Sequence, residues 1–409
     1  MTPNSRAKFY VLVEHTLVFA GDLLPYGVVF LLTVSVGYRF GLNTAAFLSL
    51  VYAYVAVVTG LICGPNLLSL RRRMPRAESP GAVIMAALGL RSAAIFVGAL
   101  LVMTGLQMTE AIPGSGLVMA LLFIGRLLET SADAPATSVQ YLRGARSYFL
   151  LRFVVFALIC GITGAGIMTA GNASLSWIAI CYAAGCYVSF LVAMAWSRKQ
   201  WLSVIGLAAE CRAQAKEFSK FFVATALFLA VSRLHPMIIS YFSGHAAAGQ
   251  FAVAQNLFSA LALAATGVAG MFFWSRNRHG KGTQAAGLPW AWLLWSMAGG
   301  LVMGAIGGGM MDSFFLRPLG SPHELRLAAW ILCLSTPFLL AQSLLSNHLV
   351  LLGRDHEMLA YAALNAGLGL IVVVLLVHAF NLIGAALSVG ISALFATLIG
   401  IHIARRRHE

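Results

Sequence analysis

Three ionisable residues of this sequence share one face of an apolar helix. Arg126, Glu129 and Asp133 stand at positions i, i+3 and i+7 of a stretch that is otherwise mostly apolar. An ionisable group at the centre of a lipid bilayer costs about 2.5 to 3.5 kcal/mol on insertion scales, so it normally faces protein or a wet cavity. The spacing therefore predicts a membrane helix whose polar face is turned away from lipid.

Three arginines lie inside apolar stretches rather than between them: Arg91, Arg126 and Arg233. Guanidinium groups bind phosphate through parallel hydrogen bonds, so these residues are the predicted substrate-binding groups of a cavity that accepts an anion. The alternative interpretation is internal neutralisation. In that case Arg126 pairs with Glu129, and Arg91 or Arg233 pairs with Asp22.

Carboxylates and prolines complete the set of predicted functional residues. We expect the acids to balance the arginine charge or to bind a proton or cation, although Glu14 is only one turn into its stretch and also fits an interfacial position. Proline removes a backbone hydrogen bond and bends a helix, so Pro25 and Pro236 are predicted hinges. The acids concerned are Asp22, Glu129, Asp133 and Glu14.

The composition identifies the solvent of this chain as lipid. Of the 409 residues, 60% are hydrophobic and 10% are charged, whereas a soluble domain has roughly 25% charged residues. The net charge of +14 is concentrated in short clusters between apolar runs, which argues against nucleic acid as a partner. The histidines and cysteines lack metal-ligand spacing and no Walker lysine motif occurs, so we predict no metal, no cofactor and no ATPase activity.

The apolar runs predict an all-α integral membrane protein of about twelve transmembrane helices, at ~20 residues per crossing. The loops between these runs alternate between the two sides of the membrane. Nearly all the basic residues fall in the loops on the side of the termini. The positive-inside rule therefore predicts a multi-pass protein of the bacterial inner membrane with both termini cytoplasmic. The predicted spans are 10–34, 43–65, 82–106, 116–141, 148–169, 174–196, 219–243, 247–273, 287–309, 325–351, 358–378 and 381–403.

Weak internal repetition at a spacing of six helices divides the chain into two predicted lobes. Pro25 corresponds to Pro236, and Pro135 corresponds to Pro337. The predicted N-terminal lobe is 1–200 with spans 1–6, and the C-terminal lobe is 201–409 with spans 7–12. Two parallel six-helix lobes around a central cavity are the layout of an alternating-access transporter. Its energy would come from an ion gradient of protons or sodium, from the substrate's own gradient, or from a partner.

Three segments resemble the polysaccharide flippases. The stretch 229–258 contains an apolar helix, a turn from Gly244 to Gly249 and an Ala-rich helix. The stretch 352–390 contains a Gly-Arg turn, the run Asn-Ala-Gly-Leu-Gly-Leu from Asn365, and a second turn at Asn381. Together with 141–146, these segments are similar to Wzx-type O-antigen or exopolysaccharide flippases of the multidrug/oligosaccharidyl-lipid/polysaccharide (MOP) exporter superfamily.

This resemblance implies a MATE/MOP-like fold and a substrate. The substrate would be an undecaprenyl-diphosphate-linked oligosaccharide, an anionic lipid-linked glycan carried from the inner to the outer leaflet. The implied partners are this glycan, membrane lipids and other polysaccharide-assembly proteins. Under this hypothesis Arg126 and Arg233 clamp the diphosphate, with Arg91 as a further candidate.

Other functions remain open at the level of sequence. A drug/cation antiporter of the same superfamily would depend on intramembrane acids, and Asp22 and Glu129 are available for that role. A major-facilitator transporter is less well matched, because the loop after the second span lacks the usual aspartate. A glycan polymerase or ligase would require a larger periplasmic loop than 310–324. A non-transporting scaffold is a further alternative.

Overall fold

The computed structural model describes residues 3–74, 77–92, 115–170, 175–201, 205–277, 290–351 and 355–405. Within these ranges every regular element is a helix and no strand occurs, as predicted. Seven helical segments in the described ranges are long and apolar enough to cross a membrane, judged by length and composition. One of them, His356–Ala404, has 49 residues and contains two predicted spans.

The first half of the described chain contains eight helices. Most of them coincide with the predicted spans, although the described part of the third span ends at Ser92. The helices are α1 (Pro3–Phe40), α2 (Leu42–Arg73), α3 (Pro80–Ser92), α4 (Ser115–Ser131), α5 (Asp133–Arg143), α6 (Ala145–Thr169), α7 (Leu175–Trp196) and the short α8 (Arg198–Trp201).

The second half of the described chain continues with six helices. A π-helical turn, Met311–Leu316, follows the third of them. The helices are α9 (Leu207–Arg233), α10 (His235–Asn277), α11 (Trp290–Met310), α12 (His323–Leu334), α13 (Thr336–Leu351) and α14 (Asp355–Arg405).

Three predicted spans are interrupted where the sequence predicted single helices. Span 4 breaks at Ala132, span 7 at Leu234 and span 10 at Ser335. A proline follows each break by two or three residues; these prolines are Pro135, Pro236 and Pro337. Proline has no backbone N–H and its ring clashes with the preceding turn, which explains why these helices are divided.

Two further interruptions confirm predicted turns. Gly244 (φ 84°) separates predicted spans 7 and 8 within α10. Asn381 (φ 51°) separates predicted spans 11 and 12 within α14. After the second turn Gly384 packs against the backbone of Leu376, so the two parts of α14 run back along each other as a hairpin.

The chain forms two compact units. The N-terminal unit comprises Val13–Arg39 and Val51–Leu229. The C-terminal unit comprises Met1–Leu12, Phe40–Leu50 and Ala230–Glu409. The predicted lobes 1–200 and 201–409 stay a prediction.

Exposure along α4 agrees with a helix between lipid and protein. Leu117 and Ile124, on the predicted apolar face, are 56% and 49% exposed. Glu129, on the predicted polar face, is 3% exposed. This pattern is inverted relative to a water-soluble protein, in which the apolar face is the buried one.

Candidate functional site

One group of buried charges in the N-terminal unit joins α1, α5 and α6; we call it the aspartate cluster. It consists of Asp22, Tyr148, Arg152 and Asp133. The Tyr148 hydroxyl donates a hydrogen bond to an Asp22 carboxylate oxygen. Arg152 donates from Nε to the Tyr148 hydroxyl at 3.1 Å, and its Nη2 lies 2.6 Å from Asp133 Oδ1. Two carboxylates are thereby connected through a single guanidinium group.

Close helix packing explains how the aspartate cluster forms. Tyr148 and Arg152 are one turn apart on α6, so both reach the same side of α1. A Cβ atom at Gly21 would lie 2.8 Å from Tyr148 Cε1, closer than side chains pack. The glycine beside Asp22 therefore lets α1 approach the tyrosine that binds the neighbouring carboxylate.

A second group, the glutamate cluster, joins α2, α4 and α7. It consists of Arg126, Glu129, Tyr182 and Tyr52. Arg126 Nη1 lies 2.8 Å from Glu129 Oε2, and the Tyr182 hydroxyl donates to the same oxygen at 2.7 Å. The Arg126 guanidinium also lies 5.7 Å from the centre of the Tyr52 ring, which is cation–π geometry.

The glutamate cluster repeats the packing of the aspartate cluster. A Cβ atom at Gly125 would lie 2.7 Å from Tyr182 Cδ1. Tyr182 is fully buried and Glu129 is 3% exposed. In both clusters a glycine adjoining a charged residue brings a buried tyrosine close enough to donate to an acid.

The third intramembrane arginine of the N-terminal unit, Arg91, has neutral partners. Its Nε donates to Asn66 Oδ1 at 2.8 Å, and its Nη1 donates to the Thr130 carbonyl oxygen at 2.6 Å. The side chain is 1% exposed, and Nη2 has no hydrogen-bond partner within the described ranges. Among the side chains that the structure describes, no carboxylate forms an ion pair with Arg91.

A polar chain leads from Asn66 to the charged end of α2. Asn66 Nδ2 donates to Gln214 Oε1 at 3.4 Å, and Gln214 Nε2 donates to Glu210 Oε1 at 3.1 Å. Arg73 holds Glu210 with contacts of 2.5 and 2.9 Å. Burial raises the pKa of Glu210, but the hydrogen bonds from Arg73 and Gln214 outweigh burial, so the pKa lies below its ordinary value.

The remaining predicted residues are placed as follows. Pro25 lies inside α1, which continues through it without a break. Pro236 is the second residue of α10, directly after the break at Leu234. Glu14 is exposed. Arg233 ends α9, and its side chain lies outside the described side chains.

The neutralisation alternative receives direct support at Arg126, whose guanidinium is paired with Glu129. The predicted alternative pair of Arg91 with Asp22 is not formed, because Arg91 binds Asn66 and the Thr130 carbonyl instead. Whether the three predicted arginines bind substrate stays a prediction.

Sequence reasoning missed Arg152. It lies near the start of span 5 and is not among the predicted functional residues, yet its side chain is 5% exposed and ion-paired with Asp133. The physical reason is that α5 brings an acid to it across the helix break. Sequence reasoning also missed Tyr148 and Tyr182. The available signal was an isolated hydroxyl within an apolar helix, since a buried tyrosine hydroxyl needs a hydrogen-bond partner.

The C-terminal unit buries mainly neutral polar groups. His235 Nε2 lies 3.0 Å from Ser388 Oγ, and the Ser388 hydroxyl donates to the Ala385 carbonyl at 2.7 Å. Its buried charged residue among those described is Asp312, which is held by Arg326 and Arg317 beside the π-helical turn. No group of histidine, cysteine, aspartate and glutamate suited to a metal ion occurs in the described part of the chain.

Comparisons with solved structures of other proteins identify the fold. No protein-family model and no curated protein sequence matches the chain. Solved structures do match over nearly its whole length. The MATE multidrug transporter DinF-BH aligns with a TM-score of 0.65 and 14% identity, covering 98% of this chain and 96% of the other.

Two further structures give the same result. A mutant of the MATE transporter VcmN from Vibrio cholerae has a TM-score of 0.60 and 14% identity, with 100% and 99% of the two chains covered. An inward-facing multidrug-resistance MATE transporter of the MOP superfamily has a TM-score of 0.62 and 12% identity, with 95% and 94% covered. The chain therefore has the all-helical, multi-pass fold of MATE transporters, as expected from the sequence.

Proposed function

We propose that this protein is a secondary transporter that exports an organic cation in exchange for protons by alternating access. The aspartate cluster is the observation that carries the proposal. The likeness in fold to MATE multidrug transporters supports it along the whole chain. The proposed coupling residues are Asp22 and Asp133, with Tyr148 and Arg152 between them.

Charge balance explains why the aspartate cluster suits a proton. Asp133 contacts the Arg152 guanidinium directly, and Asp22 is connected to it through the Tyr148 hydroxyl. A proton bound to either carboxylate removes a negative charge from the cluster, which changes the contacts of Arg152 or of its partner Tyr148. The Tyr148 hydroxyl both donates and accepts, which allows protonation at Asp22 to change the hydrogen bonding of Arg152.

The arginine contacts favour a cationic over an anionic substrate. Arg126 and Arg152 each lie within 2.8 Å of a carboxylate oxygen, so their charges are balanced inside the protein. A phosphate ligand would have to displace these carboxylates before it gained a bidentate contact. An organic cation faces no such competition. A carboxylate that has lost its proton attracts the cation.

Transport in proteoliposomes with an imposed pH gradient tests this proposal. We expect the wild type to move ethidium, a fluorescent organic cation, only when the gradient is present. The Asp22→Asn variant should lose gradient-driven transport yet retain ethidium exchange at equal pH, because it resembles the protonated state. The matched control is Glu14→Gln, an exposed acid on the same helix, which should behave as wild type. Unchanged gradient-driven transport in Asp22→Asn would contradict proton coupling.

A second candidate is the flipping of an undecaprenyl-diphosphate-linked oligosaccharide across the bacterial inner membrane. The turns at Gly244 and Asn381, on which the resemblance to flippases depends, are present. Arg126 and Arg233 are the proposed contacts of the diphosphate.

The flippase candidate has its own test. Proteoliposomes would contain a fluorescent undecaprenyl-diphosphate disaccharide, and a membrane-impermeant quencher would report its movement between leaflets. Flipping by the wild type that is lost in both Arg126→Ala and Arg233→Ala, with normal amounts of inserted protein, would support this candidate. Flipping at the wild-type rate in either variant would exclude the proposed clamp.

A further inference from the structure

Arg91 lies beside the end of α4, where a backbone carbonyl group lacks a hydrogen-bond donor from its own helix. The last carbonyl groups of any helix lack intrahelical donors. At the end of α4 this shortage is made worse by Pro135, which has no N–H to offer the preceding turn. Arg91 Nη1 supplies a donor to the Thr130 carbonyl at 2.6 Å. Its positive charge also complements the negative end of the helix dipole.

We propose that Arg91 is a positioning residue, which holds the broken end of α4 through Thr130 and thereby fixes the Arg126–Glu129 pair of the glutamate cluster. Thr130 directly follows Glu129 in the sequence, and its hydroxyl donates to the Arg126 carbonyl at 2.8 Å. Movement of Thr130 therefore moves both members of the pair. The functional part of this inference rests on the proposed transport activity.

The other side of Arg91 is fixed by the polar chain to α9. Asn66 accepts from Arg91 through Oδ1, so its amide nitrogen is left to donate to Gln214. Gln214 donates in turn to the Val83 carbonyl at 2.9 Å and to Glu210. The neighbours of Asn66 and Gln214 therefore fix the orientation of both side-chain amides. The break in the membrane helix is thus connected to the ion pair of Arg73 at the end of α2.

The geometry also argues against Arg91 as a direct contact for phosphate. A guanidinium binds phosphate bidentately along one of its edges, and each edge uses two neighbouring nitrogens. Nε and one N–H of Nη1 are already engaged, and Nη2 has no partner among the described residues. The Nε–Nη2 edge is therefore partly used by Asn66, and the 1% exposure of the side chain argues against a phosphate at the other edge.

The test compares Arg91→Gln with Arg91→Lys in gradient-driven ethidium transport. If Arg91 is a positioning residue, Arg91→Gln should lower the maximal rate about tenfold and leave KM unchanged, since ground-state binding is not altered. Arg91→Lys should recover part of the rate, since an ammonium reaches the Thr130 carbonyl but cannot also satisfy Asn66. Arg143→Gln, an exposed arginine at the end of α5, is the matched control and should match wild type.

A second measurement keeps the inference testable if Arg91→Gln fails to fold or if the wild type does not transport ethidium. Asn66→Leu keeps every charge but removes one partner of Arg91. Hydrogen exchange should then become faster in residues 128–136 and stay unchanged in α7. This readout needs no transport, so it separates failure of the positioning role from failure of the proposed function. A raised KM with an unchanged maximal rate, or unchanged exchange in Asn66→Leu, would overturn the inference.

Discussion

The two compact units differ in the kind of polar group that they bury. In the N-terminal unit, Arg91, Glu129 and Arg152 are at most 5% exposed. In the described part of the C-terminal unit the buried polar groups include His235, Ser388 and Asn365, and the buried carboxylate is Asp312, within the π-helical turn. Buried charges are expensive unless they are paired or hydrogen-bonded, and the proposed coupling residues lie in the unit that buries more of them among the described residues.

The largest expected effect comes from removing the shared cation of the aspartate cluster. Arg152→Gln removes the ion-pair partner of Asp133 and a donor to Tyr148, and should lower the unfolding free energy by about 3–5 kcal/mol. Thermal or denaturant unfolding in detergent measures this loss. Arg317→Gln removes an ion pair in the C-terminal unit, but Arg317 is 62% exposed. It should cost at most about 1 kcal/mol, and equal losses in the two variants would refute the comparison.

A smaller effect is expected from disturbing the packing beneath the glutamate cluster. Gly125→Ala places a methyl group 2.7 Å from Tyr182 Cδ1 and should cost about 1–3 kcal/mol. It should also weaken transport, because Tyr182 donates to Glu129. The control is Gly161→Ala on α6, where an added Cβ meets nothing within 4 Å. That variant should be neutral or more stable, and the same unfolding assay would expose a wrong assignment if both variants lost stability equally.

The buried histidine of the C-terminal unit should matter less. His235→Leu removes the hydrogen bond to Ser388 and should cost about 0.5–1.5 kcal/mol in unfolding free energy. Gradient-driven ethidium transport should persist, in contrast to Asp22→Asn. If His235→Leu abolished the response to the pH gradient while equal-pH exchange continued, coupling would not be concentrated in the N-terminal unit.

The smallest effect is expected at the partly exposed pair of Arg73 and Glu210. The pKa of Glu210 is lowered in the folded protein, so its contribution is complete above the ordinary glutamate pKa of about 4.3 and is lost as the pH falls through the lowered value. Glu210→Gln should therefore cost about 1 kcal/mol or less at pH 7. The difference in melting temperature between variant and wild type should shrink towards pH 3, and a difference independent of pH would contradict this assignment.

The sequence predicts local features well. The turns at Gly244 and Asn381 and the pairing of Arg126 with Glu129 depend on neighbouring residues, and the structure contains all three. Hydropathy and periodicity also predict most helices. These signals work because a helix in lipid must satisfy its own backbone, which leaves few alternatives for an apolar segment.

Long-range contacts are beyond a single sequence. The bond between Tyr148 and Asp22 joins residues 126 positions apart, and no spacing rule relates them. Helix breaks are intermediate in difficulty. Pro135 follows a break, whereas α1 and α2 continue through Pro25 and Pro65, so the presence of proline alone does not decide the outcome.

The reversal at Asn381 has a consequence for how the protein is made. Because one residue separates the two arms of α14, no hydrophilic linker is available to wait outside while the second arm is synthesised. The arms must therefore leave the insertion machinery together as a helical hairpin, once about fifty residues have been translated. An epitope tag placed at this reversal would force the arms apart during biogenesis, whereas one after Arg405 would leave the hairpin intact.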